Sequence, residues 1–162
     1  MLLMQYHAEV RRRIRRGYAD MNAGRIDKLV ALFDQDAVFQ MCGDHAFGGV
    51  LRGRETIARW FLRTRSLMPT LEITPLQIVV SGPPWTTHVA ARFWIDGLLI
   101  DGSLYHNEGI QFMRLVWGSI VDDRLYEDTS ILKEALALYA VPPLYPEPDR
   151  FARPYTARLP AR

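Results

Sequence analysis

The sequence predicts an α+β fold, with three helices in the first half of the chain, four strands in the second half, and a helix closing the fold. Apolar residues recur at three- and four-residue steps early in the chain, which is the helical period. Long stretches rich in β-branched and aromatic residues follow, separated by Pro and Gly turn signals. Gly and Pro also stand where the helical patterns stop.

Leu3, His7, Val10, Ile14, Tyr18 and Met21 line one stripe of a first helix, and Asn22-Ala23-Gly24 ends it. A short second helix is expected over Arg25 to Phe33 and a first strand over Ala37 to Cys42, followed by a Gly-rich loop from Gly43 to Gly53. Arg54 to Leu67 reads as a third helix with Ile57, Trp60, Phe61 and Leu67 inward, stopped by Pro69. Three long strands are expected near residues 71–81, 85–96 and 104–117, and a fourth over 119–127. Pro83-Pro84, Asp101-Gly102 and Trp117-Gly118 mark the turns, and Asp128, Thr129 or Ser130 can cap a final helix.

Length and composition agree with this. The 162 residues suit one domain with one substantial core. We expect that domain over residues 1–140, with a Pro- and Arg-rich extension over 141–162. In the extension, Leu144, Tyr145 and Phe151 are expected to pack on the body, with Tyr145 limiting water entry to a pocket. No apolar run is long enough for a membrane span, and Met1 to Met4 is too short for a signal peptide, so the expectation is a cytoplasmic protein without a membrane partner. The single Cys42 excludes an internal disulfide and a Cys-rich metal site. The net charge of +2 does not imply a nucleic-acid partner. Five arginines between Arg11 and Arg16 form either a solvated helix face or a docking point for an anionic carrier.

Two stretches, GYADMNAGRIDKLVALFDQDAVFQ followed by GVLRGRETIARW, and LYHNEGIQFMRLVWGSIVDDRLYEDTSILKEAL, resemble the SnoaL-like branch of the nuclear transport factor 2-like superfamily. The resemblance covers most of residues 10–139 and implies a cone: helices packed against a strongly curved, mostly antiparallel sheet around one deep pocket. It also implies which strand faces line that pocket. By this matching Tyr105, Asn107, Gly109, Gln111, Met113, Asp123, Leu125 and Glu127 point inward, as do Phe39 and Met41 on the first strand. On the strand over 85–96 it turns His88, Ala90, Arg92 and Trp94 inward.

Fold does not settle chemistry. Ketosteroid isomerases need a carboxylate base where this chain has Met41, a tyrosine where it has Gly17, and an acid where it has Gln111. The limonene-epoxide hydrolase positions read Phe39, Met41, Leu125, Arg92 and Trp94, so only the arginine survives. The Asp-His pair of related dehydratases would fall near Asn22 and Glu72, and the His-Asp pair of SnoaL-type polyketide cyclases at Gln111 and Leu125.

The remaining candidates are rearranged rather than lost. Glu127 or Asp123, buried among apolar groups, would have a raised pKa suited to proton transfer. Arg92, Gln111 and Asn107 could stabilise developing negative charge, and His88 or His45 could act as a base. Tyr18, Phe39, Met41, Trp60, Trp94 and Leu125 would shape a hydrophobic slot. The bland alternatives are a buried Arg92–Glu127 ion pair, a mutually satisfied Gln111 and Asn107, and purely structural histidines. No His-x-His or Glu-x-x-His spacing suggests a metal, and no cofactor is implied. The expectation is therefore cofactor-free cyclisation or isomerisation of a small hydrophobic, cyclic or polyketide-like molecule. The alternatives are a non-catalytic binder, or a dehydratase or epoxide hydrolase with a rearranged site. A homodimer through the outward sheet face, with Leu104, Phe112, Arg114, Val116 and Tyr126, is also expected.

Overall fold

The computed structural model describes residues 1–139 and runs α1 (Leu2–Asn22), α2 (Ile26–Val30), β1 (Phe33–Met41), β2 (Gly49–Arg52), α3 (Arg54–Leu67), β3 (Glu72–Ser81), β4 (Thr87–Leu98), β5 (Leu104–Val116), β6 (Ser119–Glu127) and α4 (Thr129–Ala137). The strands form one sheet ordered β2-β1-β6-β5-β4-β3, in which β1 and β6 run parallel and the other neighbours antiparallel. The α1 and α3 helices pack against this sheet, α2 packs on those two helices, and α4 meets β5, giving the α+β cone. The expectations for Leu144, Tyr145 and Phe151 lie outside the described residues. No helix among the described residues is long and apolar enough to cross a membrane.

The α1 stripe buries Val10, Ile14, Tyr18 and Met21, each apolar side chain contributing roughly 1.5–3 kcal/mol when fully removed from water. Leu3 stays half exposed, because the apolar period at the helix start runs past the sheet it could cover. The N-terminal half is held instead by polar contacts, with Tyr6 and Thr87 hydroxyls 2.6 Å apart and His7 Nε2 2.8 Å from the Gly82 carbonyl. At the other end the Asn22 side chain brackets Ile73, donating to its carbonyl at 2.9 Å and accepting its N–H at 2.8 Å. Arg65 of α3 donates to the carbonyls of Asn22 and Leu71, both at 2.9 Å, so one pair of side chains pins α1, α3 and β3 together.

Two boundaries differ from the sequence reading. The second helix is shorter, and Phe33 opens β1 rather than ending α2, because its ring is fully enclosed while the Arg54 guanidinium donates to its carbonyl. The Gly-rich loop also contains a strand, β2, whose residues Gly49 to Arg52 pair with Met41 to Val38. The glycines before it hid it: a Cβ at Gly48 would sit 2.1 Å from the Gly43 carbonyl oxygen, so close backbone approach, not flexibility, explains the glycine there. At the β5–β6 hairpin Trp117 and Gly118 both take positive φ, 49° and 83°, the backbone that a two-residue type I′ connection requires. Asp128 caps α4 by accepting the Ser130 N–H at 2.9 Å, worth about 1 kcal/mol.

Register places the site. Met41 pairs with Leu125, Leu125 with Gln111, and Gln111 with Ala91, so these residues form one row across the concave face. Paired residues share a face, so the inward set of β4 is Val89, Ala91, Phe93 and Ile95, all buried. His88, Ala90, Arg92 and Trp94 therefore lie on the opposite face from the one that family matching assigned, a shift of one residue on this strand alone. The next row joins Phe93, Gly109 and Glu127. A Cβ on Gly109 would lie 2.5 Å from the Phe93 ring, so the missing side chain makes room for that ring on the cavity floor.

Candidate functional site

The concave face and the helices enclose about 830 Å³ of atom-free space, open mouth included. Its wall is apolar and aromatic: Tyr18, Phe33, Phe47, Trp60, Phe61, Phe93 and Tyr105 contribute rings, with Met41, Met113, Leu125 and Leu132 between them. Packing among the rings holds this wall rigid. Trp60 lies 4.9 Å from Phe39 and 5.1 Å from Phe61 between ring centroids, and its indole N–H donates to the Phe47 carbonyl at 3.0 Å.

Two carboxyls interrupt the apolar wall, Asp123 and Glu127, on the same face of β6. Asp123 is completely buried. Its Oδ2 accepts from Gln111 Nε2 at 2.6 Å, and Gln111 Oε1 in turn accepts from the Tyr18 hydroxyl at 2.8 Å. Asp123 Oδ1 has no hydrogen-bond partner although it is buried. Burial raises the Asp123 pKa to about 8, against the lowering effect of the Gln111 bond, with the neighbouring Asp122 charge adding to the rise. Asp123 is therefore mostly protonated at neutral pH, and with Oδ2 occupied as an acceptor the proton falls to Oδ1.

Glu127 is raised to about 7, again first by burial and in spite of the Tyr105 hydroxyl, which donates to Oε2 at 3.4 Å. Part of Glu127 still reaches solvent, so its shift is the softer of the two. Asn107 donates to the Tyr105 oxygen at 2.9 Å and to the Asp128 carbonyl at 3.1 Å, which fixes Tyr105 beside Glu127 and ties β5 to the start of α4. Burial also raises the hydroxyl pKa of Tyr18 and Tyr105, so both stay neutral donors.

Several candidate residues are elsewhere. On the outer face Arg92 holds Glu108 through Nε at 2.5 Å and Nη2 at 3.1 Å, so the Arg92–Glu127 ion pair does not form. His88 stacks on Phe112 and Trp94 meets His106 edge-on, both on that outer face. Phe39 is in the core behind Trp60, and Asn107 is buried behind the wall rather than in it. Gln111 and Asn107 do not satisfy one another: each is bonded to a different tyrosine. His45 is buried in the β1–β2 loop, with Nε2 3.0 Å from the Cys42 carbonyl, away from the cavity lining. Asn22, near the dehydratase acid position, is committed to its clamp on Ile73. Reasoning from sequence passed over Phe93 as a site residue, whereas it turned Tyr105 toward the cavity, where the structure places it. The alternation of Val89, Ala91, Phe93 and Ile95 against His88, Arg92 and Asp96 carried the signal for Phe93.

Helices capping a curved sheet around an apolar cavity with deep carboxyls define a cone of the nuclear transport factor 2-like type. The chain belongs to the SnoaL-like domain family, whose pattern matches residues 14–123. Among solved structures it is similar to Bal32a from a soil-derived mobile gene cassette, with 22% identity over 80% of this chain and 97% of that one and a TM-score of 0.70. It is also similar to TerC co-crystallised with polyporic acid, with 14% identity, coverage of 79% and 98%, and a TM-score of 0.69. A Catenulispora acidiphila protein with a ketosteroid isomerase-like fold, in complex with trimethylamine, aligns with 21% identity, coverage of 83% and 96%, and a TM-score of 0.65. At these identities the likeness concerns the fold. Curated proteins give no significant match.

Proposed function

We propose that this protein is a cofactor-free acid/base enzyme that moves a proton next to a carbonyl in a small hydrophobic ring compound, as an isomerase or cyclase does. The observation that carries this is the pair of carboxyls with opposed duties in one apolar cavity. Neutral Asp123 has an unpartnered Oδ1 that can donate to a substrate carbonyl, while Glu127, with a pKa of about 7, is partly ionised and can accept a carbon-bound proton. Negative charge developing on the substrate oxygen would then be met by the Asp123 O–H, held in place through Gln111 and Tyr18. That the similarly folded TerC was co-crystallised with polyporic acid supports a small organic ligand for the cone, not a particular reaction.

The test is deuterium incorporation into β-tetralone in heavy water. Catalysed exchange above the buffer rate is expected, with Glu127→Gln slowing it by roughly 10²–10⁴-fold, the usual worth of a general base. Binding of β-tetralone without catalysed exchange would make this a binding protein instead.

We also propose that two copies associate through the outer face of the sheet. Trp94, Ile110, Phe112 and Tyr126 are each 42–48% exposed there on β4, β5 and β6, a grouping of large apolar side chains of the kind that marks an interaction surface. Sedimentation equilibrium at micromolar concentration should return a dimer, and Phe112→Arg a monomer. A monomeric parent protein would refute the association.

A further inference from the structure

The lining of the cavity bears on the charge and length of its ligand. Asp123 and Glu127 face the same side of β6 four residues apart, about 13 Å along a strand at roughly 3.3 Å per residue, and Leu125 lies between them on the cavity wall. The two carboxyls are thus separated along the strand by the apolar Leu125, an apolar floor with a polar group at each end. No arginine, lysine or histidine is among the described residues lining the cavity, since Arg92 is on the outer face with Glu108.

We infer that the pocket selects an uncharged molecule with a flat apolar body of about two fused rings and an oxygen function at each end, one held by Asp123 and the other by Glu127 and Tyr105. Asp123 Oδ1 is buried without a partner, and a ligand oxygen at that end satisfies it. The Tyr105 hydroxyl lies 3.4 Å from Glu127, too long for a strong bond, so a ligand hydroxyl at the other end can engage either group. An anionic ligand finds no counter-charge and two acids that would have to stay protonated beside it. An ammonium at the Asp123 end would oblige that acid to ionise in an apolar shell, where burial favours the neutral form; at the Glu127 end it would meet a partly ionised carboxyl, which makes the amine the stronger competitor of the two charged ligands.

This inference rests on the same cavity as the proposed reaction but not on turnover, so it is tested by binding alone. Quenching of Trp60, which lines the cavity, or calorimetry would compare four probes near neutral pH. The probes are a naphthalenediol with hydroxyls at opposite ends, a mononaphthol, the matching hydroxynaphthoate, and an aminomethylnaphthalene. The diol should bind about tenfold tighter than the mononaphthol, the increment of one additional satisfied hydrogen bond. It should bind roughly 100-fold tighter than the carboxylate. Equal affinity of diol and mononaphthol would overturn the two-ended reading. Comparable binding of the carboxylate, or tightest binding of the amine, would overturn the charge preference. Asp123→Asn and Tyr105→Phe should each reduce the advantage of the diol over the mononaphthol, and an advantage unchanged in both would assign the polar ends elsewhere. If the diol is selected but β-tetralone exchange fails, the ligand class stands and the catalytic reading falls.

Discussion

Replacing Asp123 with Asn is expected to remove most of the pH dependence of folding stability between about pH 4 and pH 8. The folded-state pKa of this acid, about 8, stands far above its ordinary value of 3.8. Across that window the native state keeps a proton that the unfolded chain has released, so the free energy of unfolding falls as pH rises and levels off once pH passes about 8. Glu127 acts in the same direction up to about pH 7, more weakly because part of it reaches solvent. For Asp123 the decline is on the order of 3–6 kcal/mol. Groups whose pKa is lowered, such as Asp101 and Glu108, have the opposite sign, and their stabilisation is lost only as pH falls through the acid range. Urea unfolding at a series of pH values should show a steep decline in the parent protein and a much flatter curve in Asp123→Asn. Parallel curves would mean that Asp123 is ionised and solvated in the folded state, and the acid role assigned to it would be lost.

The second large effect separates neighbours on β4. Phe93→Ala should cost about 3–5 kcal/mol, because the ring is fully buried, packs 5.8 Å from Tyr18 between centroids, and fills the space left by Gly109. Arg92→Ala should change stability little, since its pair with Glu108 is half exposed on both sides and screened by solvent. If Arg92 were the inward residue the order would reverse. Thermal and urea denaturation of the two variants decide it. Phe93→Ala should also enlarge the cavity and weaken binding of flat ring ligands, which lose a wall.

These neighbours show what was readable and why. On β4 the buried set Val89, Ala91, Phe93 and Ile95 is apolar and the opposite set contains His88, Arg92 and Asp96, so a plain period-two reading gives the facing. Matching to relatives displaced it by one residue, and a slip of one inverts every side chain on a strand. On β5 periodicity decides nothing. The outer face offers Leu104, Ile110 and Phe112, as apolar as the inner Tyr105 and Met113, and there the resemblance chose the correct side. The strand β2 was missed because Gly48, just before it, serves a close backbone approach, which composition alone does not distinguish from a loop.

By itself the sequence determined the α+β class, the bounds of α3, β6 and the turn at Trp117-Gly118, and the presence of acids at 123 and 127 on one face of a strand, because periodicity, turn chemistry and capping are local properties of the chain. Only the tertiary structure decided what those acids are. Gln111 meets Tyr18 across 93 residues and Asp123 across the β5–β6 pairing, while the third candidate charge, Arg92, is turned to the outer face. Whether a carboxyl is a neutral donor or a solvated anion depends on how completely distant elements remove it from water and on which single partner they leave it, and neither quantity is written in any stretch of sequence around it.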